Sequence, residues 1–152
     1  MTPLERLAAL VGGQARPETG RIDLTPDRLR TACQTLKNDP EWFFDRLECV
    51  SGVDFGDRLA VYYHLHSLTR GHRVVLRVEI PAEPAPELPS VADVWRAADW
   101  HEREIFDLFG VRFAGHPDLR RILLPDDWPG HPLRKNYRPP EAYAGIPNPA
   151  GD

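Results

Sequence analysis

The densest run of reactive side chains in this 152-residue sequence is Trp100-His101-Glu102-Arg103-Glu104-Ile105-Phe106-Asp107-Leu108-Phe109-Gly110. Wound as a helix, it sets Arg103 and Asp107 four residues apart, where an ion pair can form. Glu104 and Asp107 fall three apart on an adjoining strip, and Ile105, Leu108 and Phe109 turn toward a core. Paired carboxylates suit general acid–base work. They suit a salt-bridged helix face as well, and spacing alone favours that reading. An enzyme built on His101, Glu102 and Glu104 has only the helix spacing behind it.

A second feature is an echo. Gly115-His116-Pro117 recurs as Gly130-His131-Pro132, and each copy is followed by a Leu-Arg step with another base, at Arg120-Arg121 and at Arg134-Lys135. With His101 the histidines are evenly spaced, but metal ligands usually come two within a few residues. Turn histidines that bond backbone fit better, and no metal is expected. Cys33 and Cys49 stand alone, without a CxxC pair, so a zinc ribbon or a cysteine-ligated cluster has no support. No Gly-rich phosphate loop and no nucleophile elbow is present. The residues offer no catalytic set and no cofactor site.

The elements that must carry these residues are legible in outline. Pro3 to Val11 reads as a short helix closed by Gly12-Gly13, and Thr25-Pro26 opens another. Its stripe of Leu29, Ala32, Cys33 and Leu36 ends at Asn38-Asp39-Pro40. From Trp42 the period becomes two. Phe43, Leu47, Cys49 and Val53 would share one face of a strand. Leu59, Val61, Tyr63 and Leu65, then Val74, Leu76, Val78 and Ile80, continue as an antiparallel meander packed by helices. His64, His66 and His72 read as surface polar residues. The four prolines between Pro81 and Pro89 exclude a central strand there. Ser90 with Asp93, and Asp99 with Glu102, then predict two helices, Val91 to Ala98 and Trp100 to Phe109, with Gly110 closing the second.

Beyond Gly110 seven prolines fall in the last 28 residues, and no period is visible. The expectation is an α+β body over residues 1–110 and an extended proline-rich arm over 111–152. The chain carries net charge −4, yet Arg112 to Arg138 is net +3. Its 19 basic residues include only two lysines, Lys37 and Lys135. The arginine excess fits interface recognition, and a coding bias would give it too. The negative total argues against a nucleic-acid binder, and no stacking platform accompanies the basic arm. No apolar run is long enough to cross a bilayer, and no cleavable leader is evident. Composition thus predicts a soluble or peripheral protein whose arm docks on a partner.

Glu102 to Val111, followed by Gly115-His116-Pro117-Asp118-Leu119-Arg120-Arg121-Ile122-Leu123, closely resembles the signature of one family. That family is the thirty-kilodalton subunit of respiratory complex I, NADH:quinone oxidoreductase, also called its C or J subunit. Asp126-Asp127-Trp128-Pro129-Gly130-His131-Pro132-Leu133-Arg134-Lys135-Asn136-Tyr137 resembles the second motif of the family, except that Asn136 stands where an Asp is usual. The chain resembles the short form.

The resemblance implies a cofactor-free α+β subunit of the peripheral arm with no active site of its own. It implies docking beside the forty-nine-kilodalton quinone-site subunit and neighbouring iron–sulfur subunits, at the cytoplasmic face of the cell membrane. Arg112, Arg120, Arg121, Arg134 and Lys135 would then meet partner carboxylates, and Trp128 and Tyr137 would fill partner pockets. Glu102, Arg103, Glu104 and Asp107 would form a charged network at the junction of helix and arm. The alternatives are the equivalent subunit of a membrane-bound nickel–iron hydrogenase, a ferredoxin- or deazaflavin-linked relative, or a free-standing binding module.

Overall fold

The structure is a computed structural model, and it describes residues 1–147; the last five residues of the expected arm lie outside it. In chain order the elements are α1 (Pro3–Val11), β1 (Gln14–Arg16), β2 (Arg21–Leu24), α2 (Pro26–Asn38), β3 (Arg46–Asp54), β4 (Arg58–Ser67), β5 (His72–Pro81), β6 (Glu87–Pro89), α3 (Ala97–Phe109), β7 (Arg112–Ala114), β8 (Ala142–Tyr143) and β9 (Ile146–Pro147). Thr2 and Glu5 form a reciprocal capping box at the start of α1, and Gly12 closes it in the left-handed region. Pro26 opens α2 after Thr25, as the sequence predicts.

Five strands form one sheet in the order β1-β2-β5-β4-β3. Strands β3, β4 and β5 pair antiparallel in sequence order. The sheet as a whole is mixed, because β2 lies parallel to β5 with Ile22 opposite Leu76. The expected wholly antiparallel meander is corrected on this point: a strand ahead of α2 enters the sheet, and residues 14–24 had no predicted element. One face carries Ile22, Leu59, Val61, Tyr63, Leu65, Val74, Leu76 and Val78, all buried against the helices.

On β3 the expected face was wrong after Leu47. The register with β4 shifts between Leu47 and Cys49, a bulge that adds one residue and turns the alternation over. Val50 and Asp54 therefore point inward, while Val53 stays exposed. Phe43 lies in a left-handed turn ahead of the strand and not on it. Gly52 is needed where it is, since a Cβ there would stand 2.9 Å from the Phe109 ring of α3.

The predicted helix from Val91 is a turn, and one helix, α3, follows. Ser90 does not cap with Asp93; its hydroxyl donates to Glu102 of α3, and Asp93 pairs with Arg30 of α2 instead. Parallel pairing of β6 with β7 brings Leu88 opposite Phe113 at the border of the core. Val111 and Phe113 are both buried, so the core runs past the expected boundary at 110.

Candidate functional site

Helix α3 presents two buried carboxylates to two different surroundings. Glu102 faces the body. Its Oε1 accepts from the Ser90 hydroxyl at 2.6 Å and its Oε2 from the Val91 N–H at 3.1 Å. Burial pushes its carboxyl up to about 7, although both bonds favour the ion; the charges of Asp99 and Asp93 add to the rise. The buried Cys33 thiol of α2 and the Tyr63 phenol of β4 are likewise pushed up, first by burial and then by the Glu102 charge. The Tyr63 hydroxyl has no hydrogen-bond partner among the described residues.

Asp107 faces the segment after β7. Its Oδ2 accepts three consecutive backbone N–H groups, from Ile122, Leu123 and Leu124, at 3.1, 2.7 and 2.9 Å. Its Oδ1 accepts from the Arg121 guanidinium at 2.8 Å. Burial alone would raise this carboxyl. The Leu124 N–H, Arg121 and the other two N–H groups outweigh burial and hold it below the ordinary aspartate value. Arg121 also donates to the carbonyls of Trp128 and Gly130, which bends 121–130 into a closed loop over the end of α3.

Further along, Arg134 reaches back to the body. It donates to Asp54 of β3, to the Ala82 and Phe109 carbonyls and to Glu83, so one guanidinium ties together the ends of β3, β5 and α3. Asp54 also accepts from the Lys135 and Gly56 N–H groups. Burial raises its carboxyl, but the two N–H groups and the Arg134 charge hold it below its ordinary value.

The histidine echo has a structural meaning. The His116 ring bonds the Asp99 carbonyl in the first turn of α3, and the His131 ring bonds the Asp107 carbonyl in the last. The two Gly-His-Pro turns are thus stitched to opposite ends of one helix. Gly110 makes room for the second stitch, since a Cβ there would stand 2.7 Å from the His131 ring.

Several expected roles change with this geometry. Arg103 does not pair with Asp107; it donates to the carbonyls of Arg120 and Arg121, with its guanidinium 5.2 Å from the Trp100 ring centre. Asp107 takes Arg121 instead. Glu104 is half-buried and forms no ion pair among the described residues. The expected network therefore breaks up: Arg103 and Asp107 hold the segment after β7, Glu102 holds the 90–91 turn, and Glu104 joins neither. Arg121 and Arg134 bond within the chain. So do Trp128 and Tyr137, whose side chains share a 3.0 Å hydrogen bond, with the Tyr143 ring tilted against Trp128. Arg112, Arg120 and Lys135 remain exposed, although Arg120 is paired with Asp118. The arm is not free of the body: residues 115–138 lie along α3 and the rim of the sheet.

Sequence reasoning missed Asp54 and took Ser90 for a helix cap only. Asp54-Phe55-Gly56-Asp57 reads only as a strand end, and nothing local says that an arginine 80 residues later closes on it. Among the described residues no group of three or more His, Cys, Asp and Glu comes together as a metal site, and no helix is long and apolar enough to cross a membrane.

The geometry defines a class first: a small α+β protein with one mixed sheet, in which buried Asp54, Arg103 and Asp107 hold the C-terminal segment. A chain of the membrane-bound sulfane sulfur reductase, an archaeal respiratory membrane complex, shares this fold with a TM-score of 0.70 and 25% identity, over 88% of this chain and 82% of that one. The family follows. The model described as respiratory-chain NADH dehydrogenase, 30 Kd subunit, matches residues 22–143. The NADH-quinone oxidoreductase C subunit of Chloroherpeton thalassium is 50% identical over 113 residues, covering 73% of this chain and 47% of that one. The C subunit of the Roseiflexus sp. (strain RS-1) oxidoreductase is 45% identical over 143 residues, covering 89% and 82%. The chain belongs to this subunit family of respiratory complex I. It spans about half the length of some curated relatives and most of others.

Proposed function

We propose that this chain is a structural subunit of the peripheral arm of a proton-pumping NADH:quinone oxidoreductase, with no active site of its own. It docks beside the forty-nine-kilodalton quinone-site subunit, on the cytoplasmic face of the cell membrane, and supports electron transfer from NADH to quinone. The observation that carries this reading is the family match over 22–143, which includes both the α3 motif and the segment that α3 holds in shape. That segment is the docking element. Asp107, Arg121 and Arg134 fix its shape, and the exposed Arg112 and Lys135 meet partner carboxylates. Trp128, Tyr137 and Tyr143 form its stiffening knot. A segment already shaped before it meets its partner loses less conformational entropy on docking.

A second reading, the same subunit in a respiratory membrane complex other than an NADH:quinone oxidoreductase, is favoured by the fold shared with the sulfane sulfur reductase complex. Affinity isolation of the tagged chain from its own membranes, with mass spectrometry of what travels with it, decides between them. Recovery of the forty-nine-kilodalton quinone-site subunit together with flavin and NADH-binding subunits is the expected result. A nickel-bearing large subunit without them would move the chain to the hydrogenase branch. A chain recovered alone would sink both readings.

A further inference from the structure

The C-terminal segment forms an open cleft of about 340 Å³ lined by Pro129, Gly130, His131, Arg134, Asn136, Tyr137 and Arg138. We propose that this cleft receives an acidic side chain of a partner polypeptide, with the Arg138 guanidinium and the Asn136 amide as donors. The proposal rests on the docking role given above and adds where on the segment, and by what chemistry, a partner is held.

Charge favours an acid. Among the described residues no carboxylate lines the cleft. Each of the arginines at 120, 121 and 134 already has a carboxylate in the chain, in Asp118, Asp107 and Asp54. Arg138 has no ion-pair or hydrogen-bond partner among the described residues, and its neighbour Lys135 has no carboxylate for its ammonium. A guanidinium matches a carboxylate with two parallel bonds, which makes an acidic side chain its natural complement.

Shape adds to charge, because the cleft stands preformed. Gly130 adopts a positive φ of 78°, and a Cβ there would press on the Tyr137 ring at 3.2 Å. The Tyr137 N–H donates to the Arg134 carbonyl, and the Tyr137 hydroxyl accepts from Trp128. Ordering these walls therefore costs a partner little. The lining also separates a side chain from a bare anion. Pro129 and Tyr137 give the cleft apolar walls, and Leu133 close by in sequence is 52% exposed. Methylene groups ahead of a carboxylate have surface to cover there, whereas a free phosphate has not.

The scarcity of lysine makes the test clean. Lysines occur only at 37 and 135, so Arg138→Lys adds one amine at the cleft. The assembly isolated through the tagged full-length chain is treated with a carbodiimide, which joins amine to carboxylate without a spacer. The expected result is a link from position 138 to an Asp or Glu of another polypeptide. In parallel, Arg138→Glu lowers recovery of partner subunits by about tenfold at a salt concentration of about 0.15 M, with thermal unfolding unchanged. Links from position 138 only to carboxylates of this chain, or wild-type recovery with Arg138→Glu, overturn the proposal while leaving the subunit role standing. Loss of wild-type recovery on adding inorganic phosphate, without a carboxylate link, assigns the cleft to a phosphate group and overturns it too. A wild-type chain that brings down no other polypeptide ends the subunit role and this proposal together.

Discussion

Glu102 and Asp107 sit on one helix, both with no exposed surface, yet their proton affinities are driven in opposite directions. The difference lies in what surrounds them. On the body side Glu102 accepts from one hydroxyl and one N–H, and its charge acts on a thiol and on a phenol that has no partner among the described residues. On the segment side Asp107 meets three N–H groups and a guanidinium. Burial favours the neutral acid in both places, and only a dense set of donors reverses it. The body side of α3 is therefore an ordinary core that tolerates a misplaced acid. The other side is an ionic clasp, and the segment after β7 exists in its shape because of it.

The largest expected effect comes from opening the clasp. Asp107→Ala leaves a largely buried Arg121 without its charge partner and three N–H groups without an acceptor, which costs about 4 kcal/mol of unfolding free energy. Denaturant titration measures that loss, and trypsin cleavage after Arg120 and Arg121 becomes fast. A variant with wild-type stability and protease resistance would erase the contrast between the two sides. Next in size is Arg134→Ala, at about 3 kcal/mol, because Asp54 then stays buried without its charge partner. Far-ultraviolet circular dichroism should keep the sheet and helix signal while cleavage beyond Ala114 accelerates. If the sheet signal collapses as well, the segment is part of the body and not a strap on it.

The smallest effect carries the opposite sign and depends on pH. A Glu102 carboxyl raised from 4.5 to about 7 makes the folded chain hold a proton that the unfolded chain releases. That contribution is complete below the unfolded value and is lost as pH rises through about 7. Glu102→Gln should therefore stabilise the protein at a pH near 8, by no more than about 3 kcal/mol, with no gain near pH 4. Asp107 and Asp54 work the other way. Their lowered values add stability above the unfolded aspartate value of 3.8 that disappears in stronger acid. Urea midpoints across pH, wild type against Glu102→Gln, check the pattern. Parallel curves for the two proteins would show that Glu102 does not titrate as its burial requires.

How much of this could be read from the residues alone follows from where the signal is stored. Elements with a local signal were legible: α1 from the Gly12-Gly13 that closes it, α2 from its proline start and stop, β4 and β5 from strict alternation. The inner face of β3 was lost at a bulge, because one extra residue inverts every later side chain and leaves no mark in composition. The Val91 helix failed because the Ser90 hydroxyl has a stronger use, donating to a carboxylate twelve residues on. The C-terminal segment was read as an extended arm because its attachment to the body is not periodic. It runs through side chain to backbone bonds such as Asp107 to 122–124, and periodicity detects repeated apolar positions only. The histidine echo was visible as a pattern, but its meaning required knowing that both turns return to one helix.

The parallel pairing of β2 with β5 bears on synthesis. Ile22 leaves the ribosome more than fifty residues before Leu76, the strand neighbour it needs. Until then α1, β1, β2 and α2 have no sheet to lie on, and their apolar stripe, Leu29 to Leu36 included, stays open to water and to other chains. Contacts that close so large a loop form late and slowly. Crowded or chaperone-poor expression should therefore harm the newborn N-terminal third first, although the finished protein gives it a well-buried core.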